Sequence, residues 1–366
     1  MDEKRKGSDG MKLKHLNKGD KVAIVSLSSG ILGEDFVKHE VELGIKRLKE
    51  FGVEPVFMPN ALKGIAYVKE HPEARAEDLK LAFKDDQISA IICAIGGDDT
   101  YRTIPFLLED EEFKQSVLQH PKIFLGFSDS TINHFMFYKL GLPTFYGQAL
   151  LPDIAELDKE MLPYSKAAFL NLFHENFQPV QSSPIWYLER HDFSPAAIGT
   201  PKESVKENKG YEVLQGKGSI EGIVLGGCLD SMYDLLSGTR YPDELEISLQ
   251  YQVFPSIEDW KNKILLLETS EEQATPEVYK KMICALKETG IFKVIQGILH
   301  GKPMDEKYYK EYQDILIQAV DNPSLPILFN INIGHSTPRC ILPLQSKIKV
   351  DLDNKIISFP EPIFEG

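Results

Sequence analysis

Short runs of consecutive apolar residues alternate along the chain with longer segments in which apolar residues recur every three or four positions. The short runs are typical of strands buried on both faces, and the longer spacing is typical of helices that pack on a sheet. Because the two patterns alternate, they predict parallel sheets with right-handed helical crossovers. In the first part of the chain, the predicted strands span 21–28, 53–58, 88–95 and 143–146, with another from residue 122, and the predicted helices span 34–51 and 72–84 and follow residue 131.

Between residues 171 and 218 this periodicity is lost. The segment is rich in proline, serine, lysine and glutamate, and its few aromatic residues include Trp186 and Tyr187. Segments of this length without regular structure are uncommon inside compact domains and are often functional. We therefore predict that 171–218 is a linker and long loop between an N-terminal domain, 11–170, and a C-terminal domain, 219–366.

The C-terminal part again alternates between strand and helix patterns. Its predicted strands span 219–225, 263–268, 294–299 and 325–333, and its predicted helices span 229–236, 275–289 and 307–320. Residues 341–359 alternate apolar and polar positions around Asp353–Asn354, as antiparallel strands joined by a turn do. The whole pattern predicts an α/β protein with two domains.

Composition narrows the possible partners and the compartment. The 366 residues suffice for two cores, and 41 basic against 55 acidic residues give a net charge of −14, which argues against nucleic acid or an anionic membrane as partner. The start, MDEKRKGSDGMKLKHLNKGD, has no apolar segment of the signal-peptide kind, and no run of 18 apolar residues exists. The four cysteines form no C-x-x-C pair. We expect a cytoplasmic, reduced protein.

The segment 122–131, KIFLGFSDST, combines a buried strand, a glycine break and a serine before a helix. In a nucleophile elbow, such a turn exposes the serine hydroxyl at the strand end, and nearby N–H groups point to one spot at the helix N-terminus. Ser130 stands where the second glycine of G-x-S-x-G is usual. The alternative is that Ser128 or Asp129 only caps the helix.

Glu268 and His335 also follow predicted buried strands, and with Ser128 they form a Ser, Glu, His set in chain order. Glu268 could instead belong to a solvated turn, and His335 could be an ordinary turn residue. A serine hydroxyl needs an imidazole to accept its proton, and the imidazole needs a carboxylate to orient it. The amides of Asp129 and of Gly97 or Asp98 are the candidate oxyanion donors. A His335 pKa of about 6.5 would make the rate rise with pH near neutrality.

Motifs for metals and phosphates are missing from the sequence. There is no H-E-x-x-H, Walker or G-x-G-x-x-G element, so we expect no metal or other cofactor. Two alternatives from other classes remain: a non-catalytic two-lobe protein that binds a small ligand, and a nucleotide-dependent ligase or kinase.

Several motifs, in this order, resemble the LD-carboxypeptidase family of serine peptidases, which includes the microcin C self-immunity proteins. They are KGDKV at 18–22, GGDD at 96–99, GFSDST at 126–131, GG at 226–227, LE at 267–268 and GH at 334–335. The resemblance implies a flavodoxin-like N-terminal domain, a C-terminal β/α domain and a catalytic site between them. It implies Ser128 as nucleophile, His335 as base and Glu268 as third member, in a cytoplasmic homodimer that needs no metal.

Two branches of this family differ in substrate. Peptidoglycan-recycling members remove the terminal D-alanine of a muropeptide, whereas immunity-type members cleave the amide between a peptidyl-aminoacyl group and a nucleotide. The long 171–218 segment resembles the immunity-type loop, in which an aromatic side chain, here Trp186, stacks on the nucleobase. Trp186 could instead pack within the loop or against a dimer partner. Gly96 and Gly227 are further predicted substrate contacts, and Cys228 stands where many carboxypeptidases have asparagine.

Overall fold

The computed structural model describes residues 11–365 of the chain. Residues 1–10, which make up half of the charged start that argues against a signal peptide, lie outside this range. Among the helices of the described part, none has both the length and the apolar composition needed to cross a membrane.

Fifteen strands and twelve α-helices are formed within residues 11–365. The strands are β1 (Lys21–Val25), β2 (Glu54–Phe57), β3 (Ile88–Cys93), β4 (Ile123–Gly126), β5 (Thr144–Tyr146), β6 (Ile185–Tyr187), β7 (Ser204–Lys206), β8 (Glu212–Gln215), β9 (Ser219–Cys228), β10 (Lys263–Glu268), β11 (Gly297–Gly301), β12 (Ile327–Ile331), β13 (Leu342–Leu344), β14 (Lys347–Asp351) and β15 (Ile356–Ser358). The helices are α1 (Lys38–Glu50), α2 (Ile65–Glu70), α3 (Pro72–Lys84), α4 (Ile104–Leu108), α5 (Glu111–Gln119), α6 (Thr131–Leu140), α7 (Pro163–Leu170), α8 (Leu229–Ser237), α9 (Pro242–Tyr251), α10 (Ile257–Trp260), α11 (Pro276–Glu288) and α12 (Tyr309–Val320).

The first sheet has the strand order β2–β1–β3–β4–β5–β13. Its first five strands are parallel, and their order is that of flavodoxin-like sheets. The predicted flavodoxin-like fold is therefore confirmed. In such sheets, ligands bind beyond the carboxyl ends of the strands, which is where β3 and β4 lead into Gly96 and Ser128.

The second sheet has the order β15–β14–β9–β10–β11–β12–β8. Strands β9 to β12 are parallel, and antiparallel strands flank them on both sides. This arrangement confirms the predicted second β/α unit. An apolar cluster joins Phe127 and Tyr146 of the first unit to residues of β9, β10 and β11, so the two sheets pack together beside Ser128.

The C-terminal strands differ in part from the prediction. The antiparallel pair β14–β15 exists, with its turn after Asp351. However, β13, which was predicted to belong with them, pairs with β5 of the first sheet. Leu342–Leu344 is fully buried, and an apolar run of three residues carries no information about its partner strand.

Residues 171–218 are more ordered than the loss of periodicity predicts. Strands β6 and β7 pair with each other, and β8 adds an edge to the second sheet. The Tyr187 N–H donates to the Thr337 carbonyl at 3.0 Å, which ties this segment to the turn that carries His335.

Candidate active site

Ser128 occupies a strained turn between β4 and α6. Its φ is +63°, in the left-handed region that residues other than glycine seldom adopt and that marks nucleophile elbows. Gly96 lies directly against it, because a Cβ added at Gly96 would come within 2.7 Å of the Ser128 Cβ and Oγ atoms. Neither Ser128 nor Asp129 caps α6 with its side chain. The Asp129 carboxylate instead accepts hydrogen bonds from Ser28 Oγ and the Thr100 N–H at 2.6 and 2.9 Å.

Ser128, His335 and Glu268 form one continuous chain of contacts. Ser128 Oγ lies 3.0 Å from His335 Nε2, and His335 Nδ1 lies 2.8 Å from Glu268 Oε2. Glu268, at the end of β10, is fully buried. Gly334 precedes His335 with φ +90°, and a Cβ there would come within 2.4 Å of Glu268 Oε2, so glycine permits the close approach. The contacts suit a hydroxyl nucleophile, an imidazole base and a carboxylate that orients it.

Tyr146 completes this network and was missed by sequence reasoning, which assigned it only to a strand. Its hydroxyl donates to Glu268 Oε1 at 2.6 Å and accepts the Ser128 N–H at 3.1 Å. Burial and the neighbouring Glu268 raise the pKa of Tyr146 well above its ordinary value, so the phenol remains a donor. The sequence signal was a tyrosine at the end of a buried strand, because a buried hydroxyl needs a partner.

Glu271 is a second carboxylate at the imidazole. Its Oε2 atom lies 3.0 Å from His335 Nε2, the same nitrogen that faces Ser128. Burial alone would lower the pKa of His335, but Glu268 and Glu271 outweigh it and raise the pKa to about 10. This pKa places the loss of the His335 proton above the neutral range that an unperturbed imidazole predicts.

We expect kcat/KM to rise with pH by about tenfold per unit between roughly pH 7 and 9, because kcat/KM reports the free enzyme and only neutral His335 accepts a proton. Glu271→Gln removes one anionic contact, so it should shift this transition to lower pH and increase kcat/KM at pH 7. Full pH profiles of the two proteins provide the measurement. Glu277→Gln, an exposed carboxylate in the first turn of α11, serves as the control. Overlapping profiles for wild type and Glu271→Gln would contradict this role of Glu271.

The predicted oxyanion donors and glycine contacts lie around Ser128. Gly96 and Gly97 line a cavity beside Ser128, and Gly97 and Asp98 line a second, smaller one. Gly227 lies against Thr131 and Tyr146, since an added Cβ would reach Thr131 Oγ1 at 2.4 Å.

Trp186 is separate from this group of residues. Its side chain is 6% exposed, and Lys302 Nζ lies 4.6 Å from the centroid of its ring. Trp186 does not line the cavity that contains Gly96.

The large cavity has a volume of about 520 Å³ and borders Ser128 and His335. About half of its lining residues have apolar side chains, and two of these are exposed phenylalanines, Phe36 and Phe193. Volumes of this size suit nucleotide-sized ligands.

Cys228, Glu268 and His335 place one potential metal ligand each within 4.8 Å of one another. Both nitrogens of His335 already face protein groups, Glu268 on one side and Ser128 on the other. Burial, followed by Glu268 and Asp230, raises the pKa of the Cys228 thiol well above its ordinary value, which disfavours the thiolate that binds metals.

Comparison with known proteins identifies the class. The family model of the LD-carboxypeptidase N-terminal domain matches residues 22–147, and that of the LD-carboxypeptidase C-terminal domain matches residues 221–350. The chain therefore belongs to the LD-carboxypeptidase family, and it is a serine-type carboxypeptidase.

Individual relatives come from both branches. The crystal structure of an MccF-like protein from Streptococcus pneumoniae in complex with AMP is 52% identical, covers 93% of this chain and 98% of that one, and superimposes with a TM-score of 0.90. The microcin C7 self-immunity protein MccF of Escherichia coli is 26% identical over 296 residues, 78% of each chain. A probable murein peptide carboxypeptidase of Bacillus subtilis is 28% identical over 365 residues, 97% of this chain and 96% of that one.

Proposed function

We propose that this carboxypeptidase hydrolyses the amide between a peptidyl or aminoacyl group and a nucleotide, with Ser128, His335 and Glu268 as its catalytic triad. The contact of Ser128 Oγ with His335 Nε2 at the wall of a nucleotide-sized cavity carries the proposal. The similarity to a protein of known structure that binds AMP supports the nucleotide part.

In the proposed mechanism, Ser128 Oγ attacks the amide carbonyl while neutral His335 accepts its proton at Nε2. Glu268 stabilises the imidazolium through Nδ1. The amides of Asp129 and of Gly97 or Asp98 donate to the oxyanion of the tetrahedral intermediate. His335 then protonates the leaving nitrogen, and water hydrolyses the acyl-enzyme by the same steps in reverse.

The large cavity favours Phe193, rather than Trp186, as the aromatic residue that stacks on the nucleobase. Phe193 is 48% exposed and lines the cavity, whereas the Trp186 indole is already covered by Lys302. The Phe193 carbonyl contacts His39 Nε2 at 2.9 Å, which holds the loop against the start of α1.

Phe193→Ala should lower kcat/KM for an aminoacyl sulfamoyl adenosine by about 5- to 150-fold, the equivalent of 1–3 kcal/mol of base stacking, and should leave a muramoyl tetrapeptide unaffected. Trp186→Ala should lower both activities in parallel, together with the melting temperature, because it removes a buried side chain. Phe106→Ala, at an exposed phenylalanine outside both cavities, is the control. If only Trp186→Ala changes the ratio of the two activities, Trp186 is the stacking residue.

The alternative substrate is a muropeptide from which the terminal D-alanine is removed. The similarity to the murein peptide carboxypeptidase over nearly the whole chain supports it. Measuring kcat/KM for norvalyl sulfamoyl adenosine, whose acyl side chain is uncharged, and for the muramoyl tetrapeptide decides between them, and a higher value for the tetrapeptide would overturn our proposal. Labelling of Ser128 by a fluorophosphonate would exclude a non-catalytic binding protein.

We also propose that the protein is a cytoplasmic homodimer. Light scattering tests the dimer, which should have a mass of twice 41.4 kDa.

A further inference from the structure

A second cavity, of about 30 Å³, also borders Ser128, and it shares Gly97 and Glu271 with the large one. Its lining is strongly acidic. Within the described chain it contains seven carboxyl side chains and a single basic one, Arg240. Because the large cavity accommodates the nucleotide in the proposed reaction, the small cavity remains for the acyl part of the substrate.

The single arginine does not balance the acidic lining. Arg240 pairs with Glu272 at 2.7 Å and Asp234 at 3.1 Å, and it also lies 3.8 Å from Asp98. Asp230 receives only neutral donors, the N–H and hydroxyl of Ser270 and the thiol of Cys228. Arg240 therefore shares one positive charge among three lining carboxylates, and a fourth, Glu271, contacts the His335 imidazole. Among the lining side chains, acceptors still outnumber donors.

Glu244 is an independent sign that a donor is missing. Its side chain lines the small cavity from α9, is 1% exposed, and has no hydrogen-bond partner at Oε2 among the described residues. Buried carboxyl groups without partners are costly and rare. Burial, followed by the nearby Asp129 and Asp234, raises the pKa of Glu244 to about 9. A cation beside this side chain would favour its charged form.

We propose that the small cavity binds a primary ammonium group on the acyl residue of the substrate, with Glu244 as a principal acceptor. An ammonium carries three donors on a compact head, which suits a cavity that holds about one small group. A planar guanidinium is larger, and an acidic acyl residue would be repelled. This assignment rests on the proposed function, because it needs Ser128 to attack the carbonyl between the two cavities.

Four substrates with the same sulfamoyl adenosine leaving group test the proposal. The acyl residue is 2,4-diaminobutyryl or its uncharged counterpart norvalyl, each with a free or an acetylated α-amino group. We expect every ammonium-bearing substrate that fits the cavity to exceed acetyl-norvalyl in kcat/KM by at least about tenfold, as a charge-assisted hydrogen bond provides. A preference for acetyl-diaminobutyryl identifies the side-chain ammonium as the ligand, and a preference for norvalyl identifies the α-ammonium.

Glu244→Gln should reduce this preference toward equal kcat/KM values for the charged and uncharged substrates, since the amide keeps the shape but loses the charge. Glu246→Gln, an exposed carboxylate on the same helix, should retain the full preference. Hydrolysis of all four substrates at equal kcat/KM would overturn the ammonium site and leave the proposed function intact. Failure to hydrolyse any of them would overturn the proposed function and this assignment with it.

Discussion

Ser128→Ala should reduce kcat by roughly 10⁴- to 10⁶-fold and leave the protein folded, because members of a triad act as a unit. Alanine keeps the Cβ and removes only the Oγ that faces His335 Nε2 at 3.0 Å. The backbone at this position is fixed by the Tyr146 hydroxyl and by Thr131, whose Oγ1 donates to the Ser128 carbonyl at 2.7 Å. Turnover of an aminoacyl sulfamoyl adenosine and the melting temperature should be measured on the same preparations.

Ser26→Ala is the matched control for this prediction. Ser26 is equally buried, but its hydroxyl donates to the Ala61 carbonyl at 2.9 Å, away from the proposed triad. Its loss should cost about 1 kcal/mol of stability and little activity. A Ser128→Ala protein that kept most of the wild-type turnover would remove Ser128 from the mechanism, whatever its stability.

The sequence was most informative about the buried parallel strands and the residues at their carboxyl ends. Uninterrupted apolar runs such as 90–95 and 264–267 favour a buried strand, and the polar residue that follows such a run lies at the sheet edge where ligands bind. This is why Ser128, Glu268 and His335 could be predicted as a group. The structure brings His335 within hydrogen-bond distance of both Ser128 and Glu268.

Features that depend on long-range pairing could not be predicted in this way. The partner of β13 and the edge strand β8 are set by contacts between distant parts of the chain. Glu271 and Glu244 carry no local sequence signal that would place one at His335 and the other beside the small cavity. The stacking role of Trp186 stays a prediction, because an aromatic residue in a polar segment suggests a ligand contact, whereas the structure shows a buried indole with Lys302 Nζ over its ring.

Glu268→Gln should lower kcat by about 10⁴-fold at neutral pH, as loss of the triad carboxylate does in serine proteases. Glu268 accepts two hydrogen bonds, one from the Tyr146 hydroxyl at Oε1 and one from the His335 imidazole at Oε2. An amide has only one acceptor oxygen. If that oxygen faces Tyr146, the NH₂ group faces His335 Nδ1 and favours the tautomer with its proton on Nε2, which cannot accept the Ser128 proton.

Tyr146→Phe distinguishes the two contacts of Glu268, one with Tyr146 and one with His335. It removes the phenol from Glu268 and from the Ser128 N–H but keeps the carboxylate that orients His335, so we expect a loss on the order of only 10-fold. Measuring both variants across the pH range adds a second test, since Glu268 raises the pKa of His335 and Glu268→Gln should therefore shift any residual activity to lower pH. If Tyr146→Phe proved as damaging as Glu268→Gln and shifted the profile equally, then Glu268 would act by holding the serine turn through Tyr146, and not by orienting the imidazole.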